Sequence, residues 1–118
     1  MVPSTNRRQP ANGRAMIDAL KSPAECETMA EVRVGVDATD RELVALLDRR
    51  FGYMRAAARI KTDRGAVRDE ARKARVIAAA VADASARGLP GEAIERLWDT
   101  LVEASIAFEF AEWDRLRD

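Results

Sequence analysis

Two long cations fall on what reads as an apolar helix face. In the stretch Leu43 to Lys61, LVALLDRRFGYMRAAARIK, the residues Leu43, Leu46, Leu47, Met54, Ala57 and Ala58 recur at three- and four-residue spacing, as one apolar side of a helix should. The same face runs through Arg50 and ends at Lys61, 11 residues later. At 3.6 residues per turn the two differ by about 20° in direction and by roughly 16 Å along the axis. Side chains leaning toward each other from that spacing are able to grip a small dianion. An unpaired buried charge is costly, so each cation needs a partner. That partner is a ligand carboxylate, an internal Asp or Glu, or water reached by snorkelling. Farther along, Ser105 and Glu109 stand four apart, on or beside an apolar helix side. A polar pair there also needs partners, in a core or in a site.

Composition narrows the chemistry. The chain of 118 residues is long enough for one domain, and 47% apolar with 34% charged residues is a globular profile. Lys plus Arg (20) equals Asp plus Glu (20), so no basic surplus points to nucleic acid or a membrane surface. Any cationic function is local. One cysteine, Cys26, excludes an intramolecular disulfide and a cysteine metal cluster, and the absence of histidine excludes histidine metal sites and Ser-His triads. The opening MVPSTNRRQPANGRAM has no apolar leader pattern and no apolar run is long enough for a bilayer. A cytoplasmic protein is the expectation.

Three helices must position these residues. Residues 1–21, rich in Pro, Asn, Gly, Ser and Arg at their start, read as a flexible arm, and 22–118 as one helical domain. Ser22-Pro23-Ala24-Glu25 and Thr28-Met29-Ala30-Glu31 both carry helix-start chemistry. Met29, Val32, Val36, Leu43, Leu46, Leu47 and Met54 then continue one stripe, which predicts a single helix from about 28 to 62, ~50 Å long. Such a helix needs a partner along its face, as in a coiled coil or an intertwined bundle. Thr62 to Val67 is the first break, and Asp69 caps a second helix with Ala71, Ala74, Ile77, Ala78, Val81 and Ala84 inward. Arg87-Gly88-Leu89-Pro90 is a stop. A third helix opens at Pro90 or Gly91 with Ile94, Leu97, Trp98, Leu101, Val102, Ser105, Phe108 and Trp113 on its apolar side. Nothing reads as a strand.

The pattern R-x(16)-R-x(10)-K, with a further arginine 11 residues on, resembles the AroQ-type chorismate mutases. The stretch CETMAEVRVGVDATDRELVALLDRRFGYMRAAARIK looks closer still to the subgroup that contains isochorismate-pyruvate lyases of salicylate formation. The resemblance covers roughly residues 22 to 115 and implies an all-α fold, three helices per chain with one very long first helix, in an intertwined homodimer. It also implies roles. Arg33 matches the arginine lent by the other subunit. Arg50 and Lys61 match the pair on a substrate carboxylate and the ether oxygen, and Arg72 the arginine on the second carboxylate. Asp69 and Ser105 match polar positions near the ring hydroxyl and ring carboxylate. Glu109 falls where the family has Gln or Glu beside the ether oxygen.

Helix geometry bears on the shared site independently. Arg33 and Arg50 lie 17 residues apart on one helix, ~25 Å along it and about 100° apart in direction. They cannot grip one small ligand from the same copy, whereas two antiparallel copies bring Arg33 of one beside Arg50 of the other. Two positions bear on the subgroup in opposite senses, Lys73 toward the lyase-like one and Glu109 against it. Lys73 stands where many mutases have a glutamate that the lyase-like subgroup also lacks, and position 109 is Glu rather than Gln.

The resemblance implies rearrangement of chorismate to prephenate, a unimolecular step that needs no nucleophile, metal or cofactor. The protein supplies restraint and electrostatics: Arg50, Arg72 and Arg33 on the carboxylates, Lys61 on the ether oxygen, and Glu109, when neutral, as a second donor. Three other readings stand beside it. They are an isochorismate-pyruvate lyase, a mutase of 4-amino-4-deoxychorismate, and a non-enzymatic helical dimerisation module whose inward cations pair with Glu109, Asp69 or Glu70.

Overall fold

The computed structural model describes residues 20–118; the arm expected over residues 1–21 lies, up to residue 19, outside them. The described residues form three α-helices and no strand: α1 (Met29–Ile60), α2 (Glu70–Ala86) and α3 (Gly91–Leu116). Short 3-10 turns at Pro23–Glu25 and Arg64–Val67 precede α1 and α2. The chain divides into two compact units, Met1–Arg50 and Phe51–Asp118, and α1 contributes to both.

In the first unit local chemistry sets the start of α1. The Thr28 hydroxyl accepts from Glu31 N–H at 3.1 Å, and Glu31 Oε1 accepts from Thr28 N–H at 3.2 Å. This reciprocal box satisfies amides that the first turn leaves unpaired. Lys21 adds an ion pair to Glu31. The earlier start signal, Ser22 to Glu25, makes only one 3-10 turn, with Ser22 N–H on Glu25 Oε1 at 2.9 Å. Along α1 the expected stripe is present, but within one chain it is bare: Leu43 is 52% and Leu46 49% exposed, and Met29, Val32, Val36 and Leu47 are exposed too.

The second unit holds a small core. Val67, Val102 and Ile106 are buried, with Val76, Ile77, Trp98, Phe110 and Trp113 packed against them. Asp69 caps α2 as expected, its Oδ1 accepting from Arg72 N–H at 3.0 Å. At the other end Gly88 takes φ 75°, Leu89 N–H reaches Ala84 O at 2.9 Å and Gly88 N–H reaches Ser85 O at 3.1 Å. Those two bonds close a Schellman stop, and the left-handed backbone is why a glycine stands there.

The face by which α2 packs is the expected one in part: Ile77, Val81 and Ala84 lie inward as expected, and the rest of the face is shifted. Ala71, Ala74 and Ala78 are exposed, while Lys73, Val76, Ile77, Ala80 and Val81 are covered and Ala84 is buried. The helix is turned so that its larger side chains fill the space beside Val67, Val102 and Ile106. Lys73 comes with them because its ammonium finds Glu103 at 2.6 Å and Asp99 at 3.1 Å on α3. Leu97, expected inward on α3, is 58% exposed.

Arg68 joins the same acidic patch, 2.7 Å from both Glu103 and Glu70. Hydrogen bonds from Arg68, then Lys73, lower the Glu103 carboxyl from 4.5 to about 2. A lowered native value stabilises the fold above the unfolded value, and that stabilisation is lost as pH falls toward the native one. Glu103→Gln therefore lowers the thermal midpoint by a few degrees at neutral pH, and the gap to the parent closes between about 4.5 and about 2. Thermal melts of both proteins across that range check it; a gap that stays constant would point to packing rather than charge.

Candidate active site

Lys61 follows the last residue of α1, and its N–H still donates to Ala57 O at 2.9 Å. Its Nζ lies 2.7 Å from Oε2 of Glu109, with the lysine side chain 31% and the glutamate 5% exposed. Glu109 sits on the inner face of α3 with Val102, Ser105 and Ile106. An ionised carboxylate at such depth requires a counter-charge, and Lys61 is the one provided. Oε2 meets the ammonium as a charge contact, outside the geometry of a directed hydrogen bond. One turn earlier, Ser105 is buried and its hydroxyl donates to Leu101 O at 2.7 Å.

Four-residue spacing puts Ser105, Glu109, Trp113 and Arg117 in one column along the end of α3. The last two hold the main chain of Lys61. Trp113 Nε1–H donates to Lys61 O at 3.1 Å, and Arg117 Nη2 donates to the same oxygen at 2.7 Å. Arg117 also donates to Ala58 O at 3.0 Å and Arg59 O at 3.4 Å, and its guanidinium lies 4.2 Å from the centre of the Trp113 ring. A second aromatic group sits nearby in sequence: Phe51 meets Phe108 edge to face at 5.0 Å, with Arg55 over the Phe108 ring.

The other sequence candidates are placed as follows. Asp69 is exposed and engaged as the α2 cap, and Arg72 projects from the first turn of α2. Arg33 is exposed and Arg50 half-buried, both in the first unit on α1. Their separation along one helix keeps those two from meeting on one small ligand within a chain. The Lys61–Glu109 contact brings two of the sequence candidates together by their side chains within the second unit. Sequence reasoning missed the anchoring role of Trp113 and Arg117. The available signal was that α1 ends without a glycine. It also left Lys73 as a departure from pattern, whereas the structure uses it to tie α2 to α3.

A sequence profile of chorismate mutase type II matches residues 32–110. The chain belongs to that family. Members bind chorismate and isomerise it. The matched stretch contains Arg33, Arg50, Lys61, Asp69, Arg72, Ser105 and Glu109, and ends before Trp113 and Arg117. A Pseudomonas aeruginosa protein named isochorismate pyruvate lyase is 29% identical over 98 residues, covering 83% of this chain and 97% of that protein. No helix among the described residues is long and apolar enough to cross a membrane.

The unequal exposure of the Lys61–Glu109 pair gives an asymmetric expectation for this chorismate mutase family member. Lys61→Met strands a carboxylate with almost no access to water and costs about 3 kcal/mol. Glu109→Gln leaves an ammonium that can turn to solvent on its flexible stem, and costs about 1 kcal/mol. Denaturant unfolding of the two variants measures the difference; equal costs would mean the pair is not a buried charge pair in solution.

Proposed function

We propose that the chain rearranges chorismate to prephenate as a twofold dimer, with two sites that each draw Arg33 from one copy and the remaining residues from the other. The observation that carries the reading is a half-buried ammonium paired with a buried carboxylate, Lys61 and Glu109, inside the stretch that matches the family. The dimer is supported by the bare stripe of α1, since a row of exposed Leu, Val and Met side chains is surface that association would remove from water.

In the rearrangement the ether C–O bond breaks as a C–C bond forms, and no proton, electron or leaving group is exchanged with the protein. Catalysis is then a matter of holding the compact conformer and meeting the charge that develops. Arg50 and Arg72 bind the two carboxylates, for which the planar guanidinium fork is suited. Arg33 of the second copy completes the charge. Asp69, by tying the Arg72 N–H, fixes the turn from which Arg72 projects, and Ser105 adds a polar contact to the ring substituents. Lys61 meets the ether oxygen. Glu109 assists only as the neutral acid, because a carboxylate has no proton to donate.

Isochorismate-pyruvate lyase activity is the second reading. It is favoured by the named relative and by Lys73, whose ammonium is committed to Asp99 and Glu103. Incubation with chorismate and isochorismate separately, with products resolved by chromatography, decides between them: prephenate from chorismate is expected, and salicylate with pyruvate from isochorismate alone would replace the first reading by the second. The shared site is tested in the same assay. Arg33→Ala and Arg50→Ala are each inactive, and their refolded mixture regains one intact site per heterodimer. A mixture no better than its parents would remove the sharing.

Glu109→Gln separates the two roles of this side chain. The amide carries a hydrogen-bond donor that a carboxylate lacks, so the variant is expected to keep or raise kcat if position 109 serves the ether oxygen. Steady-state kinetics of both proteins read the outcome, and a kcat lowered to the level of Lys61→Ala would end the donor role.

A further inference from the structure

Helix α1 has no stop of its own. After Ile60 come Lys61, Thr62 and Asp63, and the next glycine is Gly65 inside the following 3-10 turn. By contrast α2 stops on Gly88 through its own backbone. The last carbonyls of a helix lack intrahelical partners and need donors from elsewhere. For α1 these donors come from the far end of α3: Arg117 serves the carbonyls of Ala58, Arg59 and Lys61, and Trp113 serves that of Lys61 again. A guanidinium has the number and planar spread of N–H groups for this, and a cation is also the favourable charge at a helix C-terminus. The Trp113 ring beneath it holds the guanidinium in plane.

The consequence falls on Lys61. Its N–H is fixed by Ala57 and its carbonyl by Trp113 and Arg117, so both sides of its main chain are held. The column on α3 that holds the backbone also carries Glu109, which holds the ammonium. We propose that Arg117, with Trp113, is a positioning residue for Lys61: it ends α1 at the point that aims the ammonium, without touching substrate. This rests on the reading of Lys61 as the group that meets the ether oxygen. Electrostatic catalysis depends on charges fixed in advance, and a displacement of about 1 Å can cost ~100-fold in rate.

The test uses the full chain with Arg117→Ala, Arg117→Lys, Trp113→Phe, Lys61→Ala and the double variant Lys61→Ala/Arg117→Ala, on whichever of the two substrates the parent turns over. Arg117→Ala is expected to lower kcat by about tenfold to 100-fold with KM nearly unchanged. Arg117→Lys keeps the charge but cannot serve three carbonyls, so it does not rescue. Trp113→Phe keeps a ring, loses the donor, and shows a smaller fall in kcat. The double variant is no slower than Lys61→Ala alone, because a positioning residue has nothing left to position. Circular dichroism establishes that each protein is folded; should Arg117→Ala lose its helix, Arg117→Lys and Trp113→Phe carry the same comparison. Loss of kcat in Lys61→Ala with parent-like kcat in Arg117→Ala overturns the inference alone, as does an additive loss in the double variant. Parent-like kcat in Lys61→Ala overturns the reading of the site, and the inference with it.

Discussion

A carboxylate is placed where water hardly reaches it, and the arrangement of the second unit follows from that constraint. Glu109 lies among Val102, Ser105 and Ile106 on the inner face of α3. A charge there needs an opposite charge held close. Lys61 meets that need only if α1 ends opposite Glu109, and the turn that follows then brings Val67 into the core. The next helix must pack its larger side chains there, and it brings Lys73 to Asp99 and Glu103 as it does so. The site and the core are thus one set of contacts read from two sides.

The first unit is governed by a different imbalance. Its helix is well started by Thr28 and Glu31, yet its apolar stripe is left in water. Hydrophobic surface of that extent on a chain whose charges sum to zero has little net repulsion to keep copies apart. Arg33 and Arg50 ride on the same helix, so whatever covers it also decides what surrounds those cations. Anything that packs along that stripe also meets those two cations.

What was legible in the sequence was mostly what short-range chemistry writes. Thr28 with Glu31, Asp69 before Arg72, and Gly88 after Ala86 are caps built from residues within a few positions of one another, and each formed as read. The span of α1 was legible because its stripe is long and strongly apolar. The packed face of α2 was legible only in part, at Ile77, Val81 and Ala84. Alanine recurs on every side of that helix, so periodicity gives a weak direction, and a lysine on the covered side reads as solvent-facing until its acidic partners on α3 are known. Within the site, Lys61 and Glu109 were legible as polar groups on apolar faces that had to find partners, though not that each would be the other's. The clamp by Trp113 and Arg117 left almost no trace, since its two ends are more than 50 residues apart.

That long separation has a temporal side. Most helix ends in this chain are written by neighbours and can form as soon as those neighbours exist. The end of α1 is written by Arg117, whose bond to Ala58 O spans 59 positions. During synthesis, at roughly 5–20 residues per second, Lys61 waits for the 56 positions up to Arg117 before its backbone can be held in this way. A contact of such range carries a large loop-closure cost and tends to form late. The clamp on the lysine that faces Glu109 therefore cannot close before position 117 has been made.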